Sequence, residues 1–373
     1  MMREQARDLI DDLLVQAGIS IDGPEPWDIQ VHNDQLYDRI LAGGSVAVGE
    51  SYMDGWWDAK ELDRFFEKVF SAGLEHKIRR NGKLLLYALK NNLVNPQSRN
   101  RSFEVGQRHY DIGNELFEKM LDKHLTYSSG YWKNTKDLDQ AQEAKLDLIC
   151  RKLCLKPGMR LLDIGCGWGS LVKYAAKHYK VEAVGITISK EQAEYARNAC
   201  KNLPVRIEFG DYRDLNESFD RIASVGMVEH VGRKNYPLFM QVAHDCLNPG
   251  GLFLLHTIGS NASTFATDPW IEKYIFPNSM IPSACQITRA AEYKFILEDV
   301  HNFGPYYDKT LMAWDENFRK SFSELPEQYD DRFYRMWRFY LMSSAASFRT
   351  RRLQLYQFLL GKQPRPTVVC RMD

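Results

Sequence analysis

The run MRLLDI at residues 159–164 passes directly into GCGWGS, and this junction constrains the fold more than any other feature of the chain. A short apolar strand, a turn with glycines at 165, 167 and 169, and a following helix let backbone amides approach a ligand closely. The pattern continues downstream. VEAVGITI (181–188), VRIEFG (205–210), FDRIASVG (219–226) and GLFLLHTI (251–258) read as strands, and KEQAEYARNAC as a helix between two of them. This alternation predicts an α/β domain with a parallel sheet and helices on both faces. Ligands in such folds gather at the carboxyl ends of the strands.

Two cofactor classes use a glycine turn of this kind, and a purely structural loop is the third reading. A dinucleotide fold requires G-x-G-x-x-G, but position 170 is Ser. It also requires an acid ending the second strand, where Thr187 stands, with Gln192 five residues later. Asp163 before the loop, the G-x-G-x-G spacing and GDYRDL after the third strand instead resemble the S-adenosylmethionine-binding pattern of class I methyltransferases, a Rossmann-like fold with a seven-stranded sheet. That resemblance implies that Gly165, Gly167 and Gly169 pass the methionine part, that Thr187 and Gln192 hold the ribose, and that Asp211 and Tyr212 lie by the adenine. Asp211 could equally be a helix N-cap before RDL.

The remaining composition narrows the setting. Residues 1–90 read as a small, mostly helical domain, with Ala6, Ile10, Leu13, Leu14 and Ala17 at helical spacing and Gly18 closing the segment. Two more amphipathic stretches follow near 61–73 and 82–94. Residues 91–105 have the polar composition of a linker, and 106–373 form the expected catalytic domain. Lys plus Arg and Asp plus Glu both count 49, so no overall charge points to nucleic acid. The seven cysteines contain no CxxC pair, and no His/Cys/Asp cluster has metal-ligand spacing. Free thiols and no metal are therefore expected. The N-terminal stretch carries acids where a signal peptide needs an apolar region, and no run approaches the roughly 18 apolar residues of a spanning helix. The expected location is the cytoplasm, with any membrane contact peripheral.

Several stretches resemble one family specifically. They are GESYMDGWW (49–57), HYDIGNELF (109–117), TYSSGYW (126–132), VGMVEHVG (225–232), HTIGS (256–260), DPWIEKYIFPN (268–278) and HNFGPYYDKTLMAW (301–314). In this order along the chain they resemble the bacterial cyclopropane fatty-acyl-phospholipid synthases, with that family's N-terminal lipid-engaging domain. The mycolic acid cyclopropane synthases resemble only the second part. The resemblance implies methylene transfer from S-adenosylmethionine to the cis double bond of an unsaturated acyl chain in a membrane phospholipid, and a homodimer.

Such chemistry asks for particular groups. An alkene attacking an activated methyl becomes a carbocation, so the site must exclude water and offer π faces or carbonyls. A base must then remove a proton from the transferred methyl. The resemblance implies that bound bicarbonate is this base, held by Glu229, His256, the backbone of Ile258 and Tyr307. Tyr127 and Ser128 would contact the methionine end of the cofactor. The family commonly has Cys after Tyr-Ser, whereas this chain has Ser129, whose hydroxyl can still donate to an oxyanion. Without the resemblance, Glu229 reads equally as a helix-capping carboxylate, His256 as a satisfied core histidine and Tyr307 as a packing residue.

The lipid must be reached at a bilayer. Between Lys77 and Arg101 stand seven basic residues and no acid, with LLLYAL (84–89) among them. That composition suits an element attracted to anionic head groups at the inner face of the membrane, or a solvated basic linker. The aromatic-rich stretch 332–358 is a second membrane candidate, for which core packing is the favoured reading. The competing enzyme is a lipid C-methyltransferase that stops at a methyl branch or a methylene and shares every cofactor residue. A non-catalytic lipid-binding protein is the competing class.

Overall fold

The structure is a computed structural model that describes residues 2–74, 113–264 and 266–364. The basic stretch 77–101, the amphipathic stretch 82–94 and the linker 91–105 lie outside the described residues. The described helices are α1 (Met2–Gln16), α2 (Leu36–Met53), α3 (Leu62–Ser71), α4 (Asn114–Met120), α5 (Leu138–Lys152), α6 (Ser170–Tyr179), α7 (Lys190–Cys200), α8 (Val228–Val231), α9 (Tyr236–Cys246), α10 (Pro269–Tyr274), α11 (Ala284–Ala291), α12 (Pro305–Ser321) and α13 (Asp331–Arg349). The strands are β1 (Gln30–Val31), β2 (Trp57–Asp58), β3 (Arg160–Ile164), β4 (Glu182–Thr187), β5 (Val205–Phe209), β6 (Phe219–Val225), β7 (Leu247–Ser260), β8 (Ile296–Asn302) and β9 (Leu353–Gly361).

The chain divides into two compact units. The first takes the described residues of Met1–Val94 together with those of Phe265–Pro277 and Leu311–Arg352. The helical unit expected at 1–90 therefore also draws on two later pieces, both within the span expected to be catalytic. Its centre is aromatic. Phe66 of α3 meets Phe339 of α13 edge-on at 4.9 Å, and Trp270 of α10 lies 4.4 Å from the same ring. Arg335 lies over the Tyr52 ring at 4.1 Å and pairs with Asp58 at 2.7 Å. Trp337, Phe339, Tyr340 and Phe348 are buried, so the aromatics of the C-terminal helix pack into a core.

The second unit takes Asn95–Thr264, Asn278–Thr310 and Leu353–Asp373, again for their described residues. It holds a seven-stranded sheet in the order β5-β4-β3-β6-β7-β9-β8. Strands β3 to β7 pair in parallel, as the alternating pattern predicts. The seven-stranded sheet of the expected fold is thus mainly parallel, and near one edge β9 runs antiparallel to both β7 and β8. The segment QLYQF, grouped by sequence with the preceding aromatic stretch, is part of that strand. Alternate residues feed two cores, as a sheet covered on both faces requires. Leu162, Ile164, Phe253, Leu255 and Phe358 pack on one face. Leu161, Ala183, Leu252, Leu254 and Leu359 pack on the other.

Candidate active site

Every residue expected at the cofactor site lies in the second unit, at the carboxyl end of the parallel strands or on segments packed beside it. At the end of β3, Gly165 has φ +86°, and a Cβ there would stand 2.7 Å from the Met227 side chain, so glycine is required twice over. Gly167 and Gly169 also have positive φ, +54° and +85°, and Gly169 opens α6. The loop is tied to its neighbour by amides of Gly165 and Cys166, which donate to Ile186 O at 2.9 and 3.0 Å.

At the end of β4, Thr187 Oγ1 donates to Gln192 Oε1 at 3.0 Å, so these two expected residues are in direct contact. Beyond β5, Asp211 accepts from the Arg213 amide at 3.0 Å and from its guanidinium at 2.8 Å. The N-cap reading of Asp211 is thus correct for its local contacts. Tyr212 is buried and meets Phe239 edge-on.

Asp163 is buried, and its Oδ1 has no hydrogen-bond partner among the described residues. Burial pushes its carboxyl up to about 7, against the lowering effect of Lys145. An orphaned buried carboxylate oxygen just before a glycine turn suits a ligand that donates hydrogen bonds, as the amino group of S-adenosylmethionine does.

The segment 126–132 has no regular secondary structure, yet most of it is buried and fixed by side chains from other elements. Asp122 accepts from the Thr126 amide at 2.8 Å. Gln142 of α5 donates to Ser128 O at 2.6 Å, and Lys145 donates to Ser128 Oγ at 3.0 Å. Thr310 accepts from the Gly130 amide at 3.1 Å and the Trp132 indole at 2.9 Å. Ser129 Oγ donates to Gly130 O at 3.0 Å. Tyr127 stacks edge-on with Phe117.

Glu229 lies inside α8, where no side chain caps the helix, so the capping alternative for it fails. Its Oε1 accepts from the Ile258 amide at 2.8 Å, which ties it to the end of β7. Its Oε2 is buried without a partner among the described residues, and burial pushes the carboxyl up to about 7. His256 stands two residues before Ile258, on the same side of the strand. Gln357 Nε2 donates to its Nδ1 at 3.2 Å, so the imidazole proton sits on Nε2. That Nε2 is buried and has no partner among the described residues, and burial holds the imidazole neutral. His256 is therefore only half satisfied. Phe303 meets its ring edge-on at 5.6 Å, and Tyr307 lies in the first turn of α12 four residues further on.

The orphaned Glu229 oxygen and the His256 N–H form an acceptor and a donor at the end of one strand, with Tyr307 on the segment packed against His256. This set fits a small anion with both a hydroxyl and acceptor oxygens, as bicarbonate has. Sequence reasoning missed Gln142, Lys145, Thr310 and Gln357. The one available signal was a polar and a basic residue three apart in AQEAKLDLI, on the face of α5 that also buries Ile149. Among the described residues no group of three or more His, Cys, Asp or Glu is placed to hold a metal ion.

A mainly parallel seven-stranded sheet with this glycine loop after β3 defines the fold of S-adenosylmethionine-dependent methyltransferases. Coclaurine N-methyltransferase bound to N-methylheliamine and SAH shares it at 20% identity, with a TM-score of 0.67 over 85% of this chain and 98% of that one. The chain belongs to the mycolic acid cyclopropane synthetase family, whose model matches residues 97–358. The cyclopropane synthase MmaA2 from Mycobacterium tuberculosis is 33% identical, with a TM-score of 0.66 over 70% of this chain and 98% of that one. The cyclopropane-fatty-acyl-phospholipid synthase of Escherichia coli strain K12 is 51% identical over 95% of this chain and 93% of its own length.

Proposed function

We propose that the protein transfers a methylene group from S-adenosylmethionine to the cis double bond of an unsaturated fatty-acyl chain in a phospholipid, closing a cyclopropane ring. The similarity to the Escherichia coli synthase, which spans the N-terminal unit as well as the family's own segment, supports the substrate class. The observation that carries the chemistry is the buried pair of Glu229 and His256 at the end of β7, each with one polar atom unpartnered among the described residues.

When bound, S-adenosylmethionine supplies a methyl group already activated by its sulfonium. The glycine turn, Thr187 with Gln192, and Tyr127 with Ser128 orient that cofactor. Phe303 and Tyr131, packed edge-on at 5.5 Å, supply aromatic surface that keeps water from the carbocation on the acyl chain. The proton lost from the transferred methyl leaves toward Glu229 and His256, and bicarbonate is the base that fits there. Ionised Glu229 accepts from its hydroxyl, and His256 Nε2 donates to its oxygens. The Ile258 amide, which the resemblance assigns to the anion itself, acts instead by holding Glu229, and Ser129 and Tyr307 complete the anion's contacts in this reading.

The enzyme works at an anionic bilayer surface as a peripheral protein and as a homodimer. Among the described residues no helix is long and apolar enough to cross a membrane. Neutralising Lys77, Arg79, Arg80 and Lys83 is expected to weaken binding to anionic vesicles, and unchanged binding rejects that stretch as the contact. The activity is tested by incubating the protein with vesicles of unsaturated phospholipid and S-adenosylmethionine, then analysing the released fatty acids by mass spectrometry. A product heavier by one CH₂ that resists hydrogenation supports the reading. An unaltered lipid overturns it.

A further inference from the structure

Lys145 is a fully buried lysine whose role nothing in the proposed chemistry uses. It lies on α5, and its Nζ has one hydrogen-bond acceptor among the described residues, Ser128 Oγ at 3.0 Å. One turn earlier, Gln142 donates from the same helix face to Ser128 O at 2.6 Å and to Thr126 O at 3.3 Å. Two charges act on Lys145: Asp122, which fixes Thr126, and Asp163, which ends β3 just before the glycine turn. Burying an ammonium is costly unless it meets opposite charge and hydrogen-bond acceptors. Leucine or methionine would fill the same space on α5 without that cost. Against that cost stand the bond to Ser128 of the irregular 126–129 segment and the charges of Asp122 and Asp163.

We infer that Lys145 and Gln142 are positioning residues that lock Ser128 in the geometry required to bind S-adenosylmethionine. The inference rests on the reading that Ser128 and Asp163 border the cofactor. An irregular segment has no backbone ladder to fix its carbonyls and hydroxyls, so their direction is set by side chains brought to them. Gln142 takes both carbonyls and Lys145 takes the hydroxyl, so the segment presents one arrangement before the cofactor arrives. Burial pushes the Lys145 ammonium down to about 8, so at pH 7 it is mostly charged where it donates to Ser128 Oγ.

The test is a double-mutant cycle on the full chain, read by calorimetric titration of S-adenosylhomocysteine. Ser128→Ala and Lys145→Met are each expected to weaken binding about tenfold. The double variant is expected to be no more than about threefold worse than the weaker single, because both remove one interaction. In turnover, Lys145→Met is expected to raise KM for S-adenosylmethionine while kcat stays within about threefold, a split that general loss of structure does not give. Lys145→Gln, which keeps a donor, is expected to recover part of the affinity. Gln142→Leu reads the clamp from the carbonyl side if Lys145→Met does not fold, and is expected to weaken binding likewise. Affinity unchanged in both Lys145→Met and Gln142→Leu, or multiplicative losses in the cycle, overturns the inference and leaves the cofactor reading standing. A parent protein that binds no S-adenosylhomocysteine overturns the cofactor reading itself.

Discussion

The amide of Ile258 donates to Glu229 Oε1 at 2.8 Å, while Glu229 Oε2 stays buried with no partner among the described residues. One oxygen of this carboxylate is held in place, and the other is free to meet a ligand. Its folded pKa, raised by burial to about 7, lies above the unfolded value near 4.5. Ionising it in the folded state therefore costs stability. The penalty is absent at pH 4 and grows as pH rises toward 7 and beyond, to an upper limit of about 3 kcal/mol. Glu229→Gln is expected to abolish ring formation yet melt at higher temperature than the parent at pH 8, with the advantage shrinking at pH 5. Thermal melts at the two pH values check this, and an advantage independent of pH contradicts it.

Gln357 sets the proton of His256. With its amide nitrogen on Nδ1, the imidazole must carry its hydrogen on Nε2, where the unpartnered position lies. Gln357→Leu releases that constraint. It is expected to lower kcat by roughly 10- to 100-fold, as loss of a group that orients a functional imidazole does elsewhere, while affinity for S-adenosylhomocysteine stays unchanged. Steady-state kinetics beside calorimetry check the pair of outcomes. Weaker cofactor binding would place Gln357 elsewhere in the mechanism.

Gly165 combines a φ of +86° with a neighbour 2.7 Å from where a Cβ would stand. Gly165→Ala is expected to cost about 1–3 kcal/mol in stability from backbone strain and crowding. Cofactor affinity is expected to fall at least tenfold as the turn shifts. Denaturant melts and calorimetry separate the two effects.

In the first unit, Gly49 of α2 lies against the buried Trp270 indole. A Cβ at 49 would stand 2.2 Å from Trp270 Nε1, and the indole is packed on Phe339 at 4.4 Å. Gly49→Ala is expected to destabilise this unit by about 1–3 kcal/mol through overpacking. The change would show as an early transition in the thermal melt, and a single unshifted transition contradicts it.

Much of the catalytic architecture was readable because its signals are local. The runs 159–164 and 181–188 are mostly apolar, and the glycine spacing after the first of them fixes the turn. Other features depend on contacts between distant segments. Leu353–Gly361 inserts as β9 between β7 and β8, and nothing in LQLYQFLLG specifies antiparallel pairing. The later pieces of the first unit are placed by contacts such as Lys273 with Glu50 at 2.6 Å, which no period in the sequence announces. The same holds at the site. Glu229 and His256 stood out through family motifs, whereas Lys145 and Gln142 read as ordinary helix residues until Ser128 is brought against them. Asp211 marks the opposite case, since the bland N-cap reading describes its contacts.

The most direct test of the account is the fate of the hydrogens on the transferred carbon. The protein would be given vesicles of unsaturated phospholipid and S-adenosylmethionine bearing a trideuterated methyl, and the deuterium in the product acyl chain counted by mass spectrometry. Ring closure at the Glu229 and His256 pair predicts that two deuterons remain in a product that resists hydrogenation, the third having left to the base, and that Glu229→Gln yields no such product. Two deuterons in a product that takes up hydrogen would mark a methylene and contradict ring closure. Three deuterons on a methyl branch would contradict ring closure and make the protein a lipid C-methyltransferase.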